Sequence, residues 1–521
     1  MAVPLSHRRA LYASAGAALA VLAAAVVPSA ASAAAAGAAA TAAAVPATLS
    51  GTPLGVNVAP WDYAYFAPAS VAAMQPLLKA AGIRQLRYGG GTFADAYDWQ
   101  TNTTIENCLP YNATASFTSK CASAVPLGFS QFSKQARAIG ASSFVTVNYG
   151  SGTPTEAATW VKQAAKNPAK AVALWEVGNE GYGCWEVNNE LAGAPEKFQG
   201  YLPGVHNANG ENPTCPMVTQ GIAAGMQTMA TSYAVNAKRF LIAMKTASSA
   251  AAIGVPWAFG STVGGASVAG ATEWDSTVLK TDGKYLSFVD AHYYPFGYSG
   301  ATGGSNPTDK QVLQSLFSIP SLYSGIRGAL KVYAPQASIV IGETGVSNHP
   351  TMTACTPVGA VFAAGDILSW LAAGAKSVDW WDLNNYGDTS SRCLSPDQAL
   401  FTSSAKPVAE TPYYGYLLAA LLAQPHAKLA AINTSDPADV LAYRSVLPNG
   451  KSVVALINTN TSAVKGLAFQ AKLSGTLLTW RYSAGNQNAA NSKVVTWKDS
   501  GASVARGIVL PAESITIYKT S

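Results

Sequence analysis

The sequence predicts a (β/α)8 barrel followed by a C-terminal β-sandwich. Between residues 50 and 412, short hydrophobic segments alternate with helical ones, and eight such pairs can be counted. After residue 422 the pattern changes to short alternating strands separated by turn signals such as residues 448–450. Two of the hydrophobic runs, 171–180 and 338–345, each deliver a glutamate at the end of a buried parallel strand.

The predicted elements follow from these runs. The eight barrel strands are 54–58, 83–88, 143–148, 172–177, 252–256, 288–293, 339–342 and 377–381. The helical stretches between them include 68–81, 130–139, 155–166, 227–247, 310–332 and 358–373. The alternative is an open, doubly wound sheet, which needs a glycine-rich phosphate loop after its first strand. Residues 59–63 contain no glycine, so the closed barrel is favoured.

The C-terminal part predicts five further strands, at 440–444, 452–458, 477–482, 493–495 and 514–518. The expected division of the chain is therefore a signal segment at 1–33, a disordered linker at 34–49, the barrel at 50–412, and a final helix with the sandwich at 413–521.

The first 33 residues are typical of a secretory signal peptide. Arg8 and Arg9 lie in a charged segment, residues 11–27 are apolar, and residues 31–33 form a small-residue cleavage site. The alternative is a membrane anchor, but alanine-rich runs insert poorly and no other stretch is long enough to span a bilayer. The low-complexity residues 34–49 predict a linker. We therefore expect a secreted, extracellular protein without membrane contact once the signal is removed.

Composition limits the partners and the redox environment. The formal net charge of +6 and the 12% of charged residues are too weak a signal for a nucleic-acid partner. Six cysteines in a secreted chain favour disulfides, and 15 pairings are open. Chain proximity favours pairs between positions 108 and 121, 184 and 215, and 355 and 393.

The run 171–180 carries the strongest chemical motif. Gly178 lets the chain bend at the strand end, Asn179 can hydrogen-bond a hydroxyl group, and Glu180 can act as a general acid and then a base. A second carboxylate about 5 Å away would raise the pKa that this role requires. The alternative is that Asn179 and Glu180 only cap a following helix.

Glu343 ends the seventh predicted strand and is the candidate nucleophile. The preceding residues 339–341 are a hydrophobic run, which favours a buried strand end over a surface turn. Two carboxylates at one end of a barrel are what a retaining glycosidase needs.

Four supporting residues lie at other predicted strand ends. His292 and Tyr294 share one side of the sixth strand, where the tyrosine can hold the nucleophile and the histidine can equally be a core residue. Arg87 ends the second strand and can orient the nucleophile or form a structural salt bridge. Trp381 ends the eighth strand and offers a flat face to a sugar ring, with its neighbour Trp380 in the core.

Other chemistries have little support in the sequence. No Gly-x-Ser-x-Gly motif lies at a strand end, and no His-Glu-x-x-His motif occurs. With five histidines in the chain and no metal-type Cys/His spacing, we expect neither a metal nor a cofactor.

These motifs resemble those of the clan A retaining glycoside hydrolases, the 4/7 superfamily. Asn179, Glu180 and Glu343 match the clan's acid/base motif on strand four and its nucleophile on strand seven. Arg87 and the following glycines look like a segment of the α-L-arabinofuranosidases, although Gly89 replaces their proline.

The other matching positions are the supporting tyrosine (Tyr294) and the rim tryptophan (Trp381). The stretches around residues 175–180 and 292–295 look as much like the heparanase and β-glucuronidase group. The resemblance implies a secreted retaining O-glycosidase that acts on poly- or oligosaccharide by double displacement. A catalytically silent carbohydrate-binding protein on the same barrel is the alternative.

Overall fold

A computed structural model defines most of the chain. It describes residues 45–61, 67–104, 123–183, 186, 215–259, 271–296, 307–346, 356–384, 398–404, 406–484, 494–505 and 507–521. The predicted signal segment and most of the predicted linker lie outside these residues.

Eight parallel strands close into a barrel, as predicted. They are Leu54–Val58, Gln85–Tyr88, Ser142–Val147, Val172–Val177, Ile253–Trp257, Phe288–Tyr293, Ser338–Thr344 and Val378–Trp380, and we call them barrel strands one to eight. Each pairs with the next, and strand eight pairs with strand one through Val378↔Leu54. Closure brings all eight C-terminal strand ends to one mouth of the barrel.

Helices follow the strands around the outside. The described helices of the barrel are Pro68–Ala80, Phe129–Ile139, Pro154–Lys166, Pro216–Gln220, Ile222–Ala247, Ala271–Asp282, Asp309–Gln314, Ile319–Tyr333, Val358–Ala373 and Thr411–Ala419. A small three-stranded sheet, Tyr97–Asp98, Thr103–Thr104 and Ser123–Ala124, lies between barrel strand two and its helix. The single helix predicted at 310–332 is interrupted by a 3₁₀ turn at Ser315–Ser318.

The barrel interior is filled rather than hollow. Phe144, Leu174, Phe288 and Val340 form a small apolar cluster of their own, contributed by strands three, four, six and seven. Glycines on neighbouring strands make room for large inward side chains. A Cβ on Gly254 would lie 2.4 Å from the Phe288 ring, which no real structure tolerates. The apolar cluster therefore fills part of the interior, and we call the end of the barrel opposite the mouth its closed end.

The C-terminal region forms two antiparallel sheets, in agreement with the predicted sandwich. The larger sheet has the order Ala47–Thr48, Lys428–Ala431, Val440–Val446, Ser452–Asn458, Ser514–Thr520, Thr476–Ser483 and Val495–Ser500. The smaller one pairs Val464–Leu467 with Ile508–Leu510, and the short helix Gly501–Ala505 follows the strand Val495–Ser500. Val454 and Leu456 face a core shared with the smaller sheet, whereas Ala455 and Ile457 join the core of the barrel.

Two predicted boundaries move once the chain folds. Residues 47 and 48, assigned to a linker by composition, pair with Leu429 and Lys428 as the edge strand of the large sheet. The boundary predicted at 412 falls inside Thr411–Ala419, the helix that follows strand eight and packs on the barrel: Tyr416 donates a hydrogen bond to Gly55 O of strand one. The sheet then packs on the barrel, where the hydroxyls of Ser369 and Tyr443 lie 2.6 Å apart.

Cys215 lies at the start of a helix and is disulfide-bonded. The other five cysteines lie outside the described residues, so the predicted pairing with position 184 stays a prediction. Within the part of the chain that the structure describes, no helix combines the length and the apolar character needed to cross a bilayer.

Candidate active site

Glu343 lies at the mouth of the barrel, and a change of register turns its side chain toward the barrel axis. Asp290 pairs with Val340, but His292 pairs with Glu343, so strand seven carries one extra residue here. Arg87 Nη1 donates to Glu343 Oε1 at 2.6 Å, and the Tyr294 hydroxyl donates to Oε2 at 2.9 Å. Both carboxylate oxygens are thus held in place, and the residue is only 5% exposed.

Glu180 follows a sharp bend at the end of strand four. Gly178 has φ 73° and Glu180 has φ 39°, which is the left-handed region that side chains seldom adopt. The Tyr182 hydroxyl donates to Glu180 Oε1 at 3.0 Å, and His292 Nδ1 lies 2.9 Å from the same oxygen. The Glu180 side chain is 18% exposed, against 6% for Glu343, so Glu180 is the more accessible of the two carboxyls.

The two glutamates face each other across the mouth. One carboxylate oxygen of Glu180, one of Glu343 and a ring nitrogen of His292 all lie within 4.8 Å of one another. Retaining glycosidases hold their two carboxyls about 5–5.5 Å apart, whereas inverting enzymes need about 6.5–9.5 Å to admit a water. The spacing therefore fits direct attack by one carboxylate on a sugar carbon.

Arg87 is the centre of the charged network beneath the glutamates. Its Nη2 donates to Glu176 Oε2 at 2.8 Å and to Asn179 Oδ1 at 2.9 Å, and its Nη1 also reaches Asn57 Oδ1 at 3.0 Å. Burial opposes the charge of the guanidinium, but the carboxylates of Glu176 and Glu343 outweigh it and raise the pKa of Arg87 further. The arginine is therefore a fixed cation.

His292 adds a second positive charge to this network. Nδ1 lies 3.4 Å from Glu343 Oε2, and Nε2 lies 3.4 Å from Asp290 Oδ2. Burial opposes the protonated ring, but Glu343, Asp290 and Glu180 together raise the pKa of His292 well above its usual value. The residue touches both candidate catalytic carboxyls, which favours the site interpretation over that of a core histidine.

Both polar atoms of the Asn179 side chain form hydrogen bonds with described residues. Its Oδ1 accepts from Arg87 and, at 3.2 Å, from the Gly91 backbone N–H. Its Nδ2 donates to Glu186 Oε1 at 3.0 Å. The amide orientation is therefore fixed by the protein, and the sequence-based expectation of a contact with a hydroxyl group rests on the second Nδ2 hydrogen.

Trp381 and Trp380 separate as predicted. Trp380 is fully buried and donates its Nε1–H to Gln398 O at 2.7 Å. Trp381 is half-buried and lies over the glycines after strand two: a Cβ on Gly90 or Gly91 would come within 3.1 Å of its ring. The same Cβ on Gly90 would lie 2.6 Å from Arg87 Nη1, so the indole borders the charged network. The peptide bond after Trp381 is cis.

The sequence reading assigned no role to three residues of the network. Glu176 and Asp290 lie in the same runs as Glu180 and His292, and Asn57 is the penultimate residue of strand one. All three are fully buried. Strand alternation could have found them, because each lies two or four residues from an assigned inward side chain or next to a strand end. Burial, with the Asp290 charge, raises the pKa of Glu176 to about 8.

Two groups of side chains in the network are close enough to hold a cation. Glu176, Asp290 and His292 form one, and Glu180, His292 and Glu343 form the other. The Arg87 guanidinium already contacts Glu176 and Glu343, and His292 is itself driven toward its charged form. The donor set is therefore neutralised by protein cations, which fits a metal poorly.

Two further tryptophans make structural contacts: Trp99 stacks on Trp160 with the ring centroids 5.2 Å apart, and Trp61 packs on Phe93.

Comparison with known proteins places this architecture among solved glycosidase structures. No protein-family model matches the sequence, and no curated protein matches it either. The fold is similar to that of an α-L-arabinofuranosidase from Thermotoga maritima, with 14% identity and a TM-score of 0.62 over 92% of this chain and 98% of that one.

A family 51 α-L-arabinofuranosidase from Bifidobacterium longum gives 16% identity and a TM-score of 0.63 over the same shares. A 4-O-α-L-rhamnosyl-β-D-glucuronidase from Fusarium oxysporum gives 14% identity and a TM-score of 0.57, again over 92% and 98%. At these identities the likeness is one of fold.

Proposed function

We propose that this protein is a secreted retaining O-glycoside hydrolase that acts on poly- or oligosaccharide. The observation that carries the proposal is the approach of Glu180 and Glu343 to within 4.8 Å at the mouth of a closed barrel. Their surroundings differ in the way that the two roles require. Glu343 is buried and accepts hydrogen bonds from Arg87 and Tyr294. Glu180 is the more exposed of the two, and its hydrogen-bond donors are either neutral or shared with Glu343.

In the first step, the Glu343 carboxylate attacks the anomeric carbon and the glycosidic C–O bond breaks. Glu180 gives its proton to the departing oxygen, so the alcohol leaves neutral. Arg87 and Tyr294 hold Glu343 so that one oxygen faces the sugar, which lowers the entropic cost of reaching the transition state.

In the second step, water attacks the same carbon and the ester bond to Glu343 breaks. Glu180, now a carboxylate, takes a proton from the water, and both glutamates return to their first state. His292 touches both carboxyls and, as a cation, offsets the negative charge that passes from one to the other. Two inversions leave the anomeric configuration unchanged.

The glycone is proposed as an α-L-arabinofuranosyl or a β-glucuronosyl residue. The motifs resemble both groups, and the fold is similar to solved structures of an arabinofuranosidase and of a rhamnosyl-glucuronidase. Export rests on the N-terminal signal pattern and agrees with the disulfide at Cys215.

The test is hydrolysis of p-nitrophenyl glycosides and plant polysaccharides by the wild type, Glu343→Ala and Glu180→Ala. We expect Glu343→Ala to lose at least about 10³-fold in kcat, because no covalent intermediate forms. Glu180→Ala should lose about 10²–10⁴-fold on poor leaving groups, keep more activity on activated aryl glycosides, and gain rate with azide. Asp499→Asn, a substitution in the C-terminal sheet, is the matched control.

Three outcomes would contradict the proposal. If Glu180→Ala loses the same activity on activated and on natural substrates, Glu180 is not the acid/base. Inverted configuration of the first product by NMR would remove the covalent mechanism. Binding of a polysaccharide by wild type and Glu343→Ala alike, without turnover, would favour a carbohydrate-binding protein.

A further inference from the structure

Glu186 is a buried carboxyl that the proposed mechanism does not use. It follows Glu180 through two consecutive turns, in which Gly183 N–H donates to Glu180 O at 2.7 Å and Glu186 N–H donates to Gly183 O at 3.3 Å. Only 1% of the residue is exposed. The chain from the candidate acid/base to Glu186 is thus short and hydrogen-bonded.

The two oxygens of this carboxyl have unequal surroundings. Oε1 accepts from Asn179 Nδ2 at 3.0 Å and from the Thr92 hydroxyl at 3.3 Å. Oε2 is buried and has no hydrogen-bond partner among the residues that the structure describes. A buried charge without an ion-pair partner is costly, and the neutral carboxylic acid avoids that charge.

Asp95 is a second buried carboxyl that binds Asn179, and its charge disfavours ionisation of Glu186. Asp95 Oδ2 accepts from the Asn179 N–H at 3.0 Å, and Oδ1 accepts from the N–H groups of Tyr149 and Gly150 at 3.1 and 3.0 Å. Three N–H donors favour the charged form of Asp95. Among the residues that the structure describes, neither Asp95 nor Glu186 forms an ion pair, and the nearby charge of Arg87 favours ionisation of Asp95.

Burial, with the charges of Asp95 and Glu180, raises the pKa of Glu186 well above its usual range. Burial raises the pKa of Asp95 to about 7 against the pull of its N–H donors. Both directions agree with the hydrogen bonds: Asp95 ionises first and Glu186 keeps its proton.

We propose that Glu186 is a positioning residue that works as a neutral acid: it fixes the Asn179 amide and, through it, the bend that presents Glu180. The inference rests on the proposed glycosidase function. Asn179 donates its backbone N–H to Asp95, accepts from Arg87 through Oδ1 and donates from Nδ2 to Glu186, so each of its polar groups is bound to a different segment of the chain. Glu180, directly after it, has a left-handed backbone that needs such restraint.

The experiment compares Glu186→Ala and Glu186→Gln on one glycone with two leaving groups, a dinitrophenol and an alkyl alcohol. The alkyl glycoside needs proton donation by Glu180 and the dinitrophenyl glycoside does not. We expect Glu186→Ala to lose about tenfold or more in kcat/KM on the alkyl substrate and less than about threefold on the activated one. Glutamine is the neutral isostere of the acid, and it should recover most of the loss.

Each other outcome overturns a definite statement. Equal losses of Glu186→Ala on both substrates, or no loss on either, would make Glu186 merely structural or idle. A glutamine variant as impaired as the alanine variant would mean that the charged carboxylate is needed, against the proposal. Thermal unfolding of both variants separates misfolding from mispositioning, since glutamine preserves the shape of the side chain. A wild type that cleaves nothing, with Glu343→Ala equally silent, would overturn the proposed function itself and with it this inference.

Discussion

Both ends of the barrel interior bury polar groups at inward-facing positions of the strands, but these groups have different partners at the two ends. At the mouth, Arg87 and His292 lie among the carboxyls of Glu176, Asp290 and Glu343. The closed end lies two residues earlier on strands two and eight. There, Gln85 Nε2 donates to Asp379 Oδ2 at 2.7 Å and to Ser377 Oγ at 2.9 Å.

The difference lies in the cations. At the mouth, Arg87 and His292 form ion pairs with the carboxyls, which raise the pKa of both cations in spite of burial. At the closed end no described residue forms an ion pair with Asp379, and burial raises the pKa of this carboxyl to about 8 although the more distant Arg87 charge opposes the rise. Gly55, on the neighbouring strand, leaves room for the Asp379 carboxyl, because a Cβ on Gly55 would lie 1.5 Å from Asp379 Oδ1. The comparison teaches that the fold holds its buried acids in two ways, with ion pairs to Arg87 and His292 at the mouth and with the neutral amide of Gln85 at the closed end.

Arg87→Met should produce the largest effect on this contrast. Removal of the guanidinium leaves Glu176, Asp290 and Glu343 without their main partner, and breaking a buried ion pair costs about 3–5 kcal/mol. We expect that loss in the free energy of unfolding, measured in urea, together with loss of turnover. Gln85→Met at the closed end is the matched variant and should cost only about 1–3 kcal/mol. Equal losses would mean that the two ends do not differ as described.

Tyr294→Phe should have the next largest effect, and it should fall on turnover. The hydroxyl donates to Glu343 Oε2 at 2.9 Å, and hydrogen bonds to charged groups contribute about 1.5–3 kcal/mol, which corresponds to roughly 10–100-fold in kcat/KM. The neighbouring Tyr293 points away from the barrel axis and donates to Ser315 O at 3.1 Å. Tyr293→Phe should therefore lower the unfolding temperature while sparing kcat/KM. The reverse pattern would contradict the assignment.

Asp379→Asn should give the smallest effect, and this effect should be a change in how the stability of the protein depends on pH. An unfolded aspartate has a pKa of about 3.9, whereas burial raises the pKa of folded Asp379 to about 8. The folded protein therefore holds a proton that the unfolded chain releases between these values, and this group's contribution to stability is lost as pH rises from about 4 to 8.

The asparagine variant has no proton to lose at this position. Its unfolding temperature should fall less than that of the wild type between pH 5 and pH 8, by roughly 2–4 °C. Part of the slope should remain, because burial also raises the pKa of Asp366 to about 8. The unfolding temperatures are measured by calorimetry. If they change equally with pH in the two proteins, Asp379 is charged in the folded state.

Much of the barrel could be predicted from the sequence because each strand is a local hydrophobic run. Strands Leu54–Val58, Val172–Val177 and Phe288–Tyr293 match their predicted limits, as does the helix Val358–Ala373. The predicted strand ends also pointed to Glu180 and Glu343 as candidates, and the structure places both at the mouth, since parallel strands in a barrel all end there. The edge strand Ala47–Thr48 was missed because two residues carry no periodic pattern.

The sequence by itself determined which side chains arrive at the mouth of the barrel. Only the tertiary structure decided how they meet. Strict alternation after Val340 would turn Glu343 away from the axis, and the extra residue in strand seven reverses that direction. The Arg87–Glu343 contact spans 256 residues, and Glu186 reaches Asn179 from a loop without a repeating pattern. Periodicity records which face of an element is buried, whereas the partners of a buried charge depend on closure and register, which involve distant parts of the chain.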